Sequence, residues 1–451
     1  MTRDALQERD PRWASRAVRE FLTVPLLVVL GFVILAALSI ALDQSHASWL
    51  TGPRHALGHV VGKQAASTAL SDIATGLVTV TSITFSVLLL AVQQTAANLS
   101  PVVFEQFMRR RSNQVYLGFF VGLCVYSYVV LAAVQKDTPP TLGAAVAVLL
   151  TVVALLILLT LVYSTLNQMR PVHVVFAIRT RALNARAREL ELIRRTRRAP
   201  QLTGPPGATA FSAEDGHVTA IQLEALDDRL RDQDTAEVEL TVTLGQYVVA
   251  GEALAQIRGP NGDELAAVVR EEVVVLGRQR DADQDATASV DQLANIAWTT
   301  GSTAKQSPEV ARQALDALRG LLGRWTADLA AASPPQRVLP VVYPDNDRML
   351  VVDSMLAIAA VAHESQQQQT AARVLDAFTQ VLPRCDQQAK DRIADGLREA
   401  AAVFAQGAWM PKLRQAAAST IEMLDSVGCR ESAEALRNAF RQEHEARAAL
   451  R

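Results

Sequence analysis

Few of the 451 residues have the types and spacing that chemistry requires. Asp281, Asp283 and Asp285 stand where the first, third and fifth ligands of a calcium loop would stand. Such a loop also needs Gly at its sixth position and Glu at its twelfth. Ala286 and Gln292 occupy those places, so the segment reads instead as a solvated or Arg-paired acidic turn beside Arg278 and Arg280. His55 and His59 are four apart and would share a helix face, but the Glu that a zinc protease places after its first His is Ala56. An interfacial amphipathic segment is expected there. His173, close to Pro171, could meet lipid headgroups or a neighbouring helix. Cys124, Cys385 and Cys429 form no metal or redox spacing. The chain has no phosphate-cradling Gly-rich loop ending in Lys-Ser/Thr, no Gly-x-Ser-x-Gly elbow and no Cys-x-x-Cys pair. The expectation is therefore no catalytic constellation, no metal and no cofactor.

One polar pattern stands out. Thr75, Thr79, Ser82, Ser86 and Gln93 fall within about 40° of one line on a helix turning about 100° per residue. Such a face suits water in a pore or a boundary between subunits. Small hydroxyl residues also let helices approach closely, and they can bond their own helix backbone.

The element that carries this face is an apolar run, at about 73–95, one of four that reach the roughly 20 residues needed to cross hydrocarbon. The others lie at about 21–42, 115–134 and 142–164. None of the four runs contains Asp, Glu, Lys or Arg, which argues against an ion-coupled transporter, although a passive pore needs no such residue. Lys and Arg set the orientation. The 1–20 tail, the 96–114 loop and residues 165–200 together hold 17, against 3 (Arg54, Lys63, Lys136) in the two other loops. By the positive-inside rule both termini are expected in the cytoplasm. The tail, with five Arg and no small-residue cleavage site after the first apolar run, is no cleavable signal peptide.

Charge separates the rest. Residues 1–200 carry 20 Lys and Arg against 10 Asp and Glu, whereas the remainder carries 24 against 36. A basic membrane half suits anionic lipid headgroups, and an acidic soluble half would repel nucleic acid. Residues 165–207 read as an Arg-rich helical extension and a Gly-Pro-Pro-Gly linker. Residues 208–285 read as a small β-rich module, with strands in HVTAIQLEAL, AEVELTVTL, QYVVAGEALAQI and ELAAVVREEVVVLG. Within it, Gly245 to Gly251 resembles the turn-strand-turn of biotinyl- and lipoyl-type modules. Residues 208–276 hold no Lys to carry either cofactor, so only the shape is shared.

Residues 286–451 read as an α-helical bundle of four to six helices. Ser307 and Pro308 cap one helix, whose Ala311, Leu315, Leu318, Leu322, Trp325 and Leu329 form a single buried stripe. Further stripes lie at Val374/Leu375/Phe378/Val381/Leu382, Ile393/Leu397/Phe404 and Leu413/Ala417/Ile421/Leu424. The fold class is thus mostly α: a four-helix transmembrane region followed by a cytoplasmic α+β domain.

The run SITFSVLLLAVQQTAANLSPVVFEQFMRRRSNQVYLGFFVGLCVYSYVVL at 82–131 resembles a bacterial family of predicted membrane proteins, domain of unknown function 2254. Phe85, Ser86, Ser100, Pro101, Gln114, Leu117, Gly118 and Tyr126 stand at matching places, and His173 is similar to a His that members carry after the fourth span. Gly277, Arg280, Asp285 and Leu293, leading into Ile296-Ala297, fit a second stretch of the family. Where members continue with Ser-Pro and Asn-Asp-Pro, this chain has Thr299-Thr300-Gly301 and Gln306-Ser307-Pro308, so any site formed there is altered. The resemblance implies the architecture and a bacterial inner membrane, but no activity. Two readings follow. One is a homo-oligomeric channel or passive pore for an ion or small solute, with a cytoplasmic gating or assembly domain. The other is a membrane-anchored sensor or scaffold that binds a partner. Membrane lipids are expected partners in both.

Overall fold

The computed structural model describes residues 11–44, 63–98, 111–133, 141–168, 170–230, 235–281, 283–302, 308–331, 337–406 and 409–449. The chain divides into two compact units, Met1–Arg170 and Pro171–Arg451.

In the first unit α1 (Pro11–Gln44), α2 (Lys63–Asn98), α3 (Arg111–Ala132) and α4 (Thr141–Gln168) are each long and apolar enough to cross a membrane. The third is the most buried, because α1, α2 and α4 all pack on it. Two glycines one helical turn apart permit that approach. A Cβ on Gly118 would lie 2.9 Å from the Pro25 Cα of α1, and one on Gly122 would lie 2.4 Å from the Phe32 ring. Small residues at this spacing let helix backbones close up where no hydrophobic effect drives them together. Leu26, Leu27, Leu30, Ile34 and Leu38 of α1, and Leu149, Leu155, Leu156 and Leu159 of α4, face outward, as contact with lipid requires.

The apolar windows correct one expectation. They run Leu22–Gln44, Ser67–Ser86, Arg111–Ala132 and Leu142–Ser164, and the first three take in Asp43, Asp72 and Arg111 in turn. The second differs because α2 starts at Lys63 and is rich in Thr and Ser throughout, so no sharp hydropathy edge marks where its span begins.

The second unit opens with α5 (Pro171–Arg195), which packs on α8 (Ala286–Ser302) and α9 (Pro308–Ala331). Two small sheets follow α5. One has the order β1 (Ala208–Phe211), β5 (Ala253–Arg258), β3 (Glu237–Leu240), β7 (Val341–Val342). The other has the order β4 (Tyr247–Val248), β2 (Gly216–Ile221), β6 (Val274–Gly277). Gly245 and Gly251 both take positive φ, and they bracket β4 in the turn-strand-turn shape.

Helix α6 (Glu224–Leu230) lies between β2 and β3. The stretch ELAAVVREEVVVLG is only partly strand: α7 (Gly262–Val268) and a π turn at Val269–Val273 precede β6. Leu265, Val268, Val269 and Val273 are all buried, a helical spacing that the local excess of Val disguised as strand.

The rest is helical: α10 (Asp347–Glu364), α11 (Gln368–Val381), α12 (Gln387–Phe404), α13 (Pro411–Ser426) and α14 (Arg430–Ala449). With α8 and α9 these make seven helices from Ala286 onward among the described residues, more than expected. The stretch that becomes α10 shows no isolated stripe, because Met349, Leu350, Ala357, Ala360 and Val361 continue the apolar sequence beyond the face on which Val351, Val352, Met355, Ile358, Ala359 and Ala362 are buried. It touches α8, α9, α11 and α12. The stripe from Ala311 to Trp325 is buried as read, whereas Ser307 lies outside the described residues.

Candidate functional site

The polar residues of α2 share one outward face. Thr75, Thr79, Ser82, Ser86 and Gln93 are all exposed, whereas Leu70, Ala74 and Leu77 are buried. On a helical wheel the polar face lies roughly 140° from the buried one. Asp72, also exposed, continues the polar face toward the start of α2. Two hydroxyls bond their own backbone: Thr79 Oγ1 donates to the Thr75 carbonyl at 3.0 Å, and Ser86 Oγ to that of Ser82 at 2.8 Å.

Inside the first unit the polar contacts are of another kind. The buried Tyr126 hydroxyl lies 3.0 Å from Ser39 Oγ and 3.1 Å from the Gly143 carbonyl. The Asp43 carboxylate accepts from the N–H groups of Leu142 and Gly143 at 3.1 and 3.0 Å, capping the N-terminal end of α4 from the end of α1. The family resemblance singled out Tyr126 and Gly118 but gave them no role; they are packing positions.

The acidic turn is Arg-paired. Arg280 Nε donates to Asp285 at 2.6 Å and Nη1 to Asp291 at 2.9 Å. The other Asp285 oxygen accepts from Thr287 at 2.6 Å and from the Ala288 N–H at 3.1 Å, which makes Asp285 the cap of α8. Asp285 presses against Gly245, where an added Cβ would lie 2.0 Å from a carboxylate oxygen. Leu293, Ile296 and Ala297 are fully buried behind it. In the altered family segment Thr300 is buried and bonds the Ile296 carbonyl at 2.6 Å. His173 is exposed; His55, His59, Ser100, Pro101 and residues 303–307 lie outside the described residues. Cys124 and Cys385 are buried and unpaired with each other.

The strongest electrostatic feature was not anticipated. Arg186 of α5 is 1% exposed and lies among three carboxylates: Glu189 at 3.0 Å, Asp345 at 2.7 Å and Asp347 at 3.1 Å. Its guanidinium also sits 5.5 Å from the centre of the Trp325 ring. Tyr343 donates to Glu189 at 2.8 Å and accepts from the Leu244 N–H at 3.3 Å. Burial, then the Glu189 charge, pushes the Asp347 carboxyl well above the usual carboxylate range against the pull of Arg186. Burial and the Glu189 charge likewise raise the Tyr343 phenol. Asp347 also borders a cavity of about 300 Å³, lined by Thr243, Gln246, Arg280, Thr287 and Asn346 among others.

Four apolar helices with outward leucines define an integral membrane protein, here joined to a mostly helical second unit with a small sheet module. The model of domain of unknown function 2254, described as a predicted membrane protein, matches residues 19–380, and the chain belongs to that family. No curated protein and no solved structure matches it.

Proposed function

We propose that copies of the chain assemble around α2, with Thr75, Thr79, Ser82, Ser86 and Gln93 lining a passive path for ions or small solutes. The direction of that face carries the reading. It points away from the side on which α2 packs within its own unit, so in a lone chain it would meet hydrocarbon. Polar side chains are better placed against water or a second copy. Asp72 at one end of the face adds a carboxylate, which favours cations. The charge bias around the spans supports both termini on the cytoplasmic side; the family resemblance supports a bacterial inner membrane, and the second unit would gate or assemble the path.

A membrane-anchored sensor or scaffold is the second reading. The intrahelical bonds of Thr79 and Ser86 favour it, since they satisfy those hydroxyls without water. Ion flux into liposomes reconstituted with the purified protein separates the two. Under the pore reading Ser82→Leu and Ser86→Leu each lower flux while oligomer size is unchanged, and Val80→Leu, off the stripe, does neither. Absence of wild-type flux under any voltage or tension defeats the pore reading.

A further inference from the structure

Arg186, Glu189, Asp345 and Asp347 bring three formal negative charges and one positive into a site where Arg186, Glu189 and Asp347 are nearly inaccessible to water. One nitrogen brings two of these groups together. Arg186 Nη1 bonds Glu189 Oε2 at 3.0 Å and Asp347 Oδ2 at 3.1 Å, so two carboxyl groups converge on a single buried guanidinium nitrogen. Two full negative charges held that close and out of water repel each other, which favours a proton on one of them. Glu189 already accepts from Tyr343 through Oε1 and from Arg186 through Oε2. We propose that Asp347 carries a proton where it faces Glu189 across Arg186, and that this buried cluster is a pH-sensitive latch that holds the start of α10 to α5.

Every neighbouring element contributes to the latch. From α5 come Arg186 and Glu189, and from the segment entering α10 come Tyr343 and Asp345. From α9 comes the Trp325 ring beneath the guanidinium. Across the cavity stands Arg280, already engaged by Asp285 and Asp291. One Arg186 nitrogen, Nη1, bonds both Glu189 and Asp347, so it cannot neutralise two full charges there once the proton leaves. The closed latch would then hold two like charges side by side, and α10 would come away from α5. Helix α5 begins at Pro171, directly after α4 ends at Gln168, so the latch sits on the first element after the membrane region. It stands whether or not the protein conducts.

The burial-driven rise of the Asp347 carboxyl gives the direction. Folded, the group stays protonated over a range in which the unfolded chain has lost its proton, starting near an ordinary value of about 4. The latch is therefore fully stable below that range. As pH rises through it, the closed-to-open ratio falls by about ten-fold per pH unit, until the folded-state value is passed.

Infrared spectroscopy of the full-length protein in nanodiscs at neutral pH tests this, since a protonated carboxyl absorbs above the amide band where ionised ones do not. The wild type should show that band, shifted in D₂O and lost on raising the pH. Asp347→Asn should lack it. Glu189→Gln should lack it too, because Asp347 then ionises against Arg186 alone, and this variant serves if Asp347→Asn does not fold. No band in the wild type, or a band that survives in whichever variants fold, overturns the latch.

Discussion

The first unit keeps its innermost polar contacts largely neutral, as where the Tyr126 hydroxyl meets Ser39 and the Gly143 carbonyl, while the second unit buries Arg186 among Glu189, Asp345 and Asp347. The two also close their cores differently. Between α1 and α3 the helices approach through Gly118 and Gly122, whereas α5, α8, α9 and α10 meet over Leu293, Leu318, Trp325 and Val351 as well as through ions. The difference follows from the surroundings. In hydrocarbon an apolar side chain gains nothing by leaving lipid for protein, so close packing and hydrogen bonds must hold the helices. In water, burial of apolar area supplies the drive and can sustain a costly charged cluster that fixes how elements meet.

Removing the cation should give the largest effect. Arg186→Met leaves the Glu189, Asp345 and Asp347 carboxyl groups with no counter-charge and should destabilise the second unit by about 3–5 kcal/mol. Equilibrium denaturation of the full-length protein, followed by fluorescence, measures it. A loss below about 1 kcal/mol, the range of exposed pairs, would mean that the cluster is solvated and the contrast between the units is false.

A smaller effect is expected from crowding the α1–α3 contact. Gly122→Leu drives a side chain into the Phe32 ring and should cost about 1–3 kcal/mol. Gly31→Ala, at a glycine with no neighbour within 4 Å, should be neutral or slightly stabilising. Thermal scans in one detergent compare them. Equal shifts for both would remove glycine-mediated approach from the account.

The four spans could be read from apolar length, and the stripe from Ala311 to Trp325 from its spacing, because each follows from a period within one helix. What escaped reading depends on partners far along the chain. Arg186 is one of nine arginines in 165–200 and reads from sequence only as part of an Arg-rich helical extension. Its helical spacing from Ala182, Ala185, Glu189 and Ile193 was a signal that could have marked it, since these share one face, but Asp345 and Asp347 come from more than 150 residues away. Strand β7 is two residues long and joins β3 in parallel, beyond the reach of any local pattern. The α2 stripe was visible as a stripe, but only packing shows that Leu70, Ala74 and Leu77 occupy the opposite side.

That outward direction is the centre of the functional account, and the chemical environment of Ser82 tests it most directly. A cysteine placed at Ser82 in the reconstituted protein can be offered a charged, water-soluble thiosulfonate or an uncharged reagent that partitions into lipid. Only a water-exposed thiol ionises enough to react with the first, and site-resolved mass spectrometry separates it from Cys124, Cys385 and Cys429. The pore reading predicts fast reaction with the charged reagent, slowed by a bulky group at Ser86. Reaction with the lipid-soluble reagent alone would place the face in hydrocarbon and contradict it.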